Sequence, residues 1–571
     1  MNISLKSLIC TLIIVPVLLI CFPDWAVAQF GQENFRAGFH SRFGEGEKVE
    51  SGPGDVREDK AFLENSLELE YSYGLWQAGA TLESREPAEY GRNFTKMLKG
   101  YVQYTEKNYL LRVGTLYGLS GQGLSINLVE DRSKLNFDNS IRGVQGSVTL
   151  NRLIVSTMAG VTNYTDYDSP LVRDRHYLGS LSLEYLLSHG FRVGVVALQD
   201  RLVHRTDQAS TGHIEIDADI PSLVWGPWFG YSRGNWEFNA EFSRKLTGRN
   251  RLGVPDVYQI PIRMLDIKQG SSGNGLYWNL GFAEAGYGIT LEYKNYQYNM
   301  TPSTLLAHGS GLDPTSALPF QLPPTTVKEH LYTLLNRFPV MPHLNNEIGM
   351  QLELNAKPSR AFQLQLVLSG VAQADVFGGI RDGRKVDRER SGFVIWPHFN
   401  LSHSPVYDTF LDIHYRHGRK IQLHGGVGHR KLIDYSYRNG YSHRTDVTTV
   451  PLKAQIRWSR RFTTLFDLET QHVSEKFLPI GPPDKDYFNH YLEVTFSFAP
   501  KFSIAISREF TDQQSISDKN WDLITAAMRL GSWGNLLLSY GEQREGVLCS
   551  NGFCRQVPGY EGLRGELSLF F

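Results

Sequence analysis

Two stretches of this chain concentrate side chains that can do chemistry. The first, Leu111 to Gly146, mixes Arg112, Glu130, Asp131, Arg132, Asp138 and Arg142 with glycines at 114, 118, 121, 123, 143 and 146. Guanidinium and carboxylate groups mixed in this way form ion-pair networks, or line a constriction that sorts solutes by charge. The glycines allow sharp bends and close backbone approach. The second stretch is rich in histidine: seven of the 17 His fall between His398 and His443. Imidazole can act as acid, base, metal ligand or simple polar wall, and its neighbours decide which. Catalytic sets are poorly represented. Ser402-His403-Ser404 stands near Asp408, but no nucleophile elbow surrounds it, so an enzyme is not expected.

The elements that must position these residues are strands. Period-two alternation recurs along most of the chain. Phe35, Ala37, Phe39 and Phe43 alternate with Arg36, His40 and Arg42. Trp236, Phe238, Ala240 and Phe242 alternate with Glu237, Asn239, Glu241 and Ser243. Leu492, Val494, Phe496 and Phe498 alternate with Glu493, Thr495 and Ser497. Segments of about 9–12 residues suit a tilted strand that crosses a bilayer. Short turns such as Glu106-Lys-Asn108, Ser188-His-Gly190, His417-Gly-Arg419, Pro500-Lys501 and Ser532-Trp-Gly534 separate them.

Both ends of the chain agree. Leu563, Gly565, Leu567, Leu569 and Phe571 share one strand face, and Arg564, Glu566 and Ser568 the other. A closing barrel strand has this form, and it is the strand that assembly machinery would engage. Lys6, the apolar run Leu8 to Phe22 and Ala26-Val27-Ala28 read as a secretory signal over 1–28. The expectation is one all-β domain over 29–571: a transmembrane antiparallel up-and-down barrel of about 24 strands, range 20–26, surrounded by bacterial outer-membrane lipid. A net charge of -1 and no basic tract argue against nucleic acid. Cys10 and Cys21 leave with the signal. Cys549 and Cys554 remain, and in an oxidising compartment they are expected to form a small disulfide rather than a metal site.

On a barrel, parity assigns faces. The charged side chains of the Gly-rich stretch should face the lumen or solvent, because hydrocarbon penalises them. A strand through Phe393, Ile395, Phe399 and Leu401 would turn His398 inward. The next strand would turn Asp412, His414 and Arg416 inward, and the one after it His424. Polar lining is expected there rather than metal or haem contact, and no cofactor is implied. Arg112, Gly114, Gly121, Gly123, Arg142 and Gly143 resemble the pattern of alginate-export-like substrate-specific porins, in which an R-x-G strand leads through a glycine-rich inward bend to an Arg-containing strand start. The resemblance implies a constriction or binding surface. Leu124, where a basic residue would stand, and Ile141-Arg142-Gly143, in place of an aromatic-acidic-glycine triplet, depart from it.

Two stretches interrupt the meander. Residues 300–344 hold seven Pro, and Val327–Arg337 has helical spacing at Leu331, Leu334 and Leu335. This predicts a long loop with a short helix, placed outside the barrel in preference to inside it. Leu246–Gly275 predicts a second outer loop. The function expected is a porin-like channel for passive passage of a small polar solute. The alternative is a scaffold that sheathes a protein partner in or under the lumen, such as a lipoprotein, cytochrome or secreted chain.

Overall fold

The computed structural model describes residues 34–50, 56–89, 93–131, 137–164, 172–206, 218–248, 271–298, 346–374, 393–436, 441–478, 483–550 and 553–571 except 558, with parts of 318–340 and 376–389. Its wall is one antiparallel sheet of 24 strands. The first, Phe35–Glu50, pairs with Val56–Tyr73 on one side and with the last, Gly559–Phe570, on the other. The second pairing runs from Gly38 opposite Phe570 to Val49 opposite Gly559 and closes the cylinder. Ala37 and Phe571 exchange both backbone hydrogen bonds at 3.0 and 2.8 Å. Closure leaves no open edge, which is what a bilayer core demands of a sheet. Among the described residues no helix is long and apolar enough to cross a membrane.

The alternation seen in the sequence becomes two surfaces. Val113, Val144, Leu181, Ile289, Leu452, Leu492 and Leu538 are exposed on the outer face. Arg42, Glu64 and Glu566 meet on the inner one, with Arg42 3.3 Å from each carboxylate. One end of the cylinder has tight turns. Gly74, at φ 58°, lies between Tyr73 and Trp76, and Gly418, also at φ 58°, lies between His417 and Ile421. The other end carries long connections, among them 117–140, 298–345 and 373–405. Tight turns mark the periplasmic side of such barrels. Many strands exceed the expected 9–12 residues; Val56–Tyr73 has 18. At about 3.3 Å per residue they outrun the hydrocarbon layer and continue past it on the long-loop side.

Two expectations about the loops fail. The described part of the Pro-rich segment, within 318–338, is not an outer loop: it lies in the lumen, where Phe320 and Leu334 have no solvent exposure. Among the described residues of the predicted helix Val327–Arg337, the helical part is a single 3-10 turn, Leu334–Asn336. Wall side chains bond the backbone there and replace the helical ladder. Of the second expected loop, the strands reach Thr247 and resume at Ser271; residues 249–270 lie outside the described residues.

The faces can be checked with one pair of variants. Leu538 is on the outer face, while Ser539 bonds Thr525 at 3.1 Å on the inner one. Leu538→Arg should cost about 2–4 kcal/mol at mid-depth and sharply reduce heat-modifiable protein in membranes. Ser539→Arg should leave the yield near wild type.

Candidate functional site: the lumen and its inward segments

The first inward segment begins at the Gly-rich stretch. Gly114 and Gly143 lie opposite each other in the strands Tyr109–Leu116 and Ile141–Leu150. A Cβ on Gly114, at φ 117°, would meet the Gly100 carbonyl oxygen at 2.1 Å, so only glycine lets the wall bend this tightly. Beyond the bend, Gly118–Ser120 pairs with Ile126–Leu128 as a small hairpin. Its tip reaches the opposing strand Trp236–Thr247. There Glu241 accepts the Gln122 N–H and, at 3.3 Å, the Ser125 hydroxyl. Leu124 joins Tyr277, Tyr296 and Tyr298 in a buried cluster.

The second inward segment, within 318–338, is held in the same way. Glu469 accepts the Thr333 and Leu334 N–H groups at 2.8 and 2.7 Å. Gln471 donates to the Leu334 carbonyl at 2.6 Å, and Arg430 to that of Phe338 at 2.6 Å. Arg430 is itself fixed by Asp408 at 2.7 Å. His330 meets Asp408 at 3.4 Å, Tyr332 donates to Asp412 at 2.9 Å, and Arg337 pairs with Glu509. Burial, then the Asp412 carboxylate, push the Tyr332 phenol upward, which keeps it protonated as the donor. The two segments also touch each other. Asn127 donates to the Phe320 carbonyl at 2.7 Å, and Gln321 to that of Leu124 at 2.8 Å. Between them and the wall lies an apolar core that includes Ile126, Leu178, Val196, Leu198, Val224 and Phe320.

The structure brings some predicted residues together and separates others. Arg112 lies inside, its guanidinium 3.8 Å from the Tyr101 ring centroid and its Nε 2.9 Å from the Thr115 carbonyl. Glu130 pairs with Lys99, and Tyr117 reaches both Glu130 and Asp138 at 3.4 Å. Arg36, Glu70, Lys99, Tyr101, Arg112 and Glu130 line a cavity of about 690 Å³. Asp131 pairs through its backbone with Phe137; its side chain and all of Arg132 lie outside the described residues. Arg142 corrects an expectation. It shares the outer face with Val144 and bonds the Leu98 carbonyl at 3.3 Å, near the long-loop rim where an outward charge costs little.

Of the three histidines expected on one wall, two stand together. His414 and His424 are opposite each other on the inner face, stacked at 3.8 Å. With Lys357, Gln363, Gln365 and Asp412 they line a cavity of about 460 Å³. Arg416 follows on the same face and is exposed. His398 is not with them. Residues 393–400 form no strand, so parity there has no meaning; the His398 ring lies 5.1 Å from that of His403, in a segment on the outside of the wall. Ser402 and His403 bond each other at 3.3 Å, while Asp408 is engaged by Arg430 in the lumen, so these three do not assemble. Among the described residues no group of three His, Cys, Asp or Glu is placed to hold a metal. Cys549 and Cys554 are directly opposite in the hairpin Gly546–Ser550/Phe553–Val557, but their side chains lie outside the described residues.

Glu241 and Glu469 were not singled out as site residues from the sequence, and Asp408 was weighed only beside Ser402-His403-Ser404. One readable signal existed: Leu178, Val196 and Leu198 are apolar at inward parity, so something had to cover them.

A closed 24-strand cylinder, apolar outside and polar but partly filled inside, defines an outer-membrane barrel protein located in the bacterial outer membrane. The chain belongs to a family of unknown function (DUF6029), whose model matches residues 5–571. No curated protein matches it. Similar solved structures include the siderophore receptor PirA from Acinetobacter baumannii, at 6% identity and TM-score 0.45 over 94% of this chain and 80% of that one. PirA from Pseudomonas aeruginosa gives 9% and 0.41 over the same shares. The P pilus usher PapC translocation pore gives 9% and 0.43 over 94% and 99%. Likeness this distant carries no argument about what is bound or moved.

Two measurements test the site. Glu469→Ala removes the acceptor of two backbone hydrogen bonds, each worth about 0.5–1.5 kcal/mol. Hydrogen exchange at 332–338 should accelerate about ten- to a hundredfold while wall strands keep their protection. Opposed strand residues lie about 4.5–5.5 Å apart, a separation that suits a disulfide. Intact mass of non-reduced protein should therefore be lighter by the two thiol hydrogens of Cys549 and Cys554.

Proposed function

We propose that this protein passes a small polar solute across the outer membrane, through the space between the inner wall and the two inward segments. The single observation behind this reading is how the segments are held. Glu241 holds the hairpin tip through backbone N–H groups, and Glu469, with Gln471, Arg430, Asp412 and Glu509, holds the second segment. A filling attached at a few polar points can shift without unfolding the wall. The charged cavity around Lys99, Arg112 and Glu130 supplies a surface of mixed sign that favours polar over apolar solutes. Passage on this reading is passive. Export removes residues 1–28, and the assembly machinery inserts the barrel through Gly559–Phe570.

The scaffold reading is weaker. A sheath needs an empty lumen, and here two segments of the chain occupy part of it. Planar-bilayer recordings test the proposal. Wild-type protein should give stepwise conductance, and Glu469→Ala larger steps, because a loosened segment obstructs less. Silence from both proteins, with heat-modifiable migration intact, would overturn it.

A further inference from the structure

A third segment of the long-loop end runs outside the barrel. Residues 393–404, between the strands Phe362–Ala372 and Val406–His417, lie against the outer wall. The wall beneath them is unusual. On Tyr287–Gln297 the outward positions change from Ile289 and Leu291 to Tyr293, Asn295 and Gln297. Tyr293 stacks at 5.7 Å on Trp278, its outward neighbour. Asn346 stands opposite Gln297 on the next strand. This outer wall therefore carries an amide patch, yet Asn295, Gln297 and Asn346 are buried at 0%, 7% and 2% exposure.

Residues 393–395 cover it with backbone. Asn295 and Gln297 donate to the Val394 carbonyl at 2.6 and 2.7 Å, the Val394 N–H donates to Gln297 at 3.3 Å, and Tyr293 donates to the Ile395 carbonyl. The Val394 side chain packs with Tyr293 and Ile348, and the larger side chains turn the other way. Phe393, Ile395, Trp396, Phe399 and Leu401 are 40–66% exposed. Phe399 rests over Gly370, where a Cβ would lie 3.0 Å from its Cζ, and its ring is 5.3 Å from that of Tyr407.

We propose that residues 393–401 are a membrane-interface anchor, with the headgroup–acyl boundary of the outer leaflet as their partner. Three observations converge. The Val394 N–H and C=O and the Ile395 C=O are turned to the wall and bonded there, as irregular backbone against lipid requires, while His398 and Asn400 are exposed at the headgroup level. Five large apolar side chains within nine residues form a patch, not scattered exposure. The patch is continuous with the lipid-facing wall beside it, where Ile289, Leu364, Leu368 and Ile413 are exposed. Trp396, next to Tyr293 at 6.5 Å between rings, supplies the amphipathic ring that favours the interface. The segment thus converts an amide patch into an apolar exterior and extends the lipid-facing surface toward the long-loop end.

The test reads the environment of one residue. Full-length protein and Trp396→Phe are reconstituted in phosphatidylcholine vesicles, with and without lipid brominated on acyl carbons near the headgroup. The emission difference between the two proteins isolates Trp396. Brominated lipid should remove most of that difference, and aqueous iodide little of it. Stronger quenching by iodide would place the patch in water and overturn the proposal. Insensitivity to both would mean that protein covers it, in a second copy or another partner, and would overturn it too. A second variant, Asn295→Leu with Gln297→Leu, should detach the segment and reduce the brominated-lipid effect while heat-modifiable migration persists. An unchanged effect would show that the clasp does not set the position of Trp396.

Discussion

The seam between Phe35–Glu50 and Gly559–Phe570 is the interaction on which everything else depends. A backbone group left unpaired in hydrocarbon costs several kcal/mol, so a sheet in a bilayer must close on itself. Closure then imposes the rest. It divides every strand into a lipid side and a lumen side. It fixes the register that brings His414 to His424 and Gly114 to Gly143. It also encloses a volume that 24 strands' worth of inward side chains do not fill. The inward segments answer that last constraint.

Both segments solve the same local problem in the same way. A loop that leaves water brings backbone N–H groups with it, and each must find an acceptor. Glu241 and Glu469 supply one through their carboxyl oxygens. The carboxyl groups also benefit, since a polar group nearly removed from water needs partners of its own. The arrangement is reciprocal, and at the second segment Gln471, Arg430, Asp412 and Glu509 add further attachments. The apolar cluster around Phe320 and Val196 adds adhesion without direction.

How much of this was legible follows from what each signal measures. Period-two patterning reports which face is greasy, so the barrel, its strand number and the inward placement of Arg112, His414 and His424 could be read directly. It says nothing where no strand exists. His398 was misplaced because Phe393, Ile395, Phe399 and Leu401 imitate a strand while belonging to an irregular segment. Arg142 was misplaced because depth along a strand, not only parity, sets the cost of an outward charge. The course of 318–338 depends on Glu469, Gln471 and Arg430, which stand about a hundred residues or more away in sequence. Proline content announces a loop, but only the distant wall decides where the loop lies.

The contacts between Asn127 and Phe320, and between Gln321 and Leu124, tie the two fillings to each other as well as to the wall. Whichever leaves first gives up its own clasp and this shared border together. The one left behind then has only its own wall contacts to release. Their departures are thermodynamically coupled, so the interior behaves as one cooperative body with two footings, and a perturbation at Glu241 reaches Glu469 across the cylinder without passing through its wall.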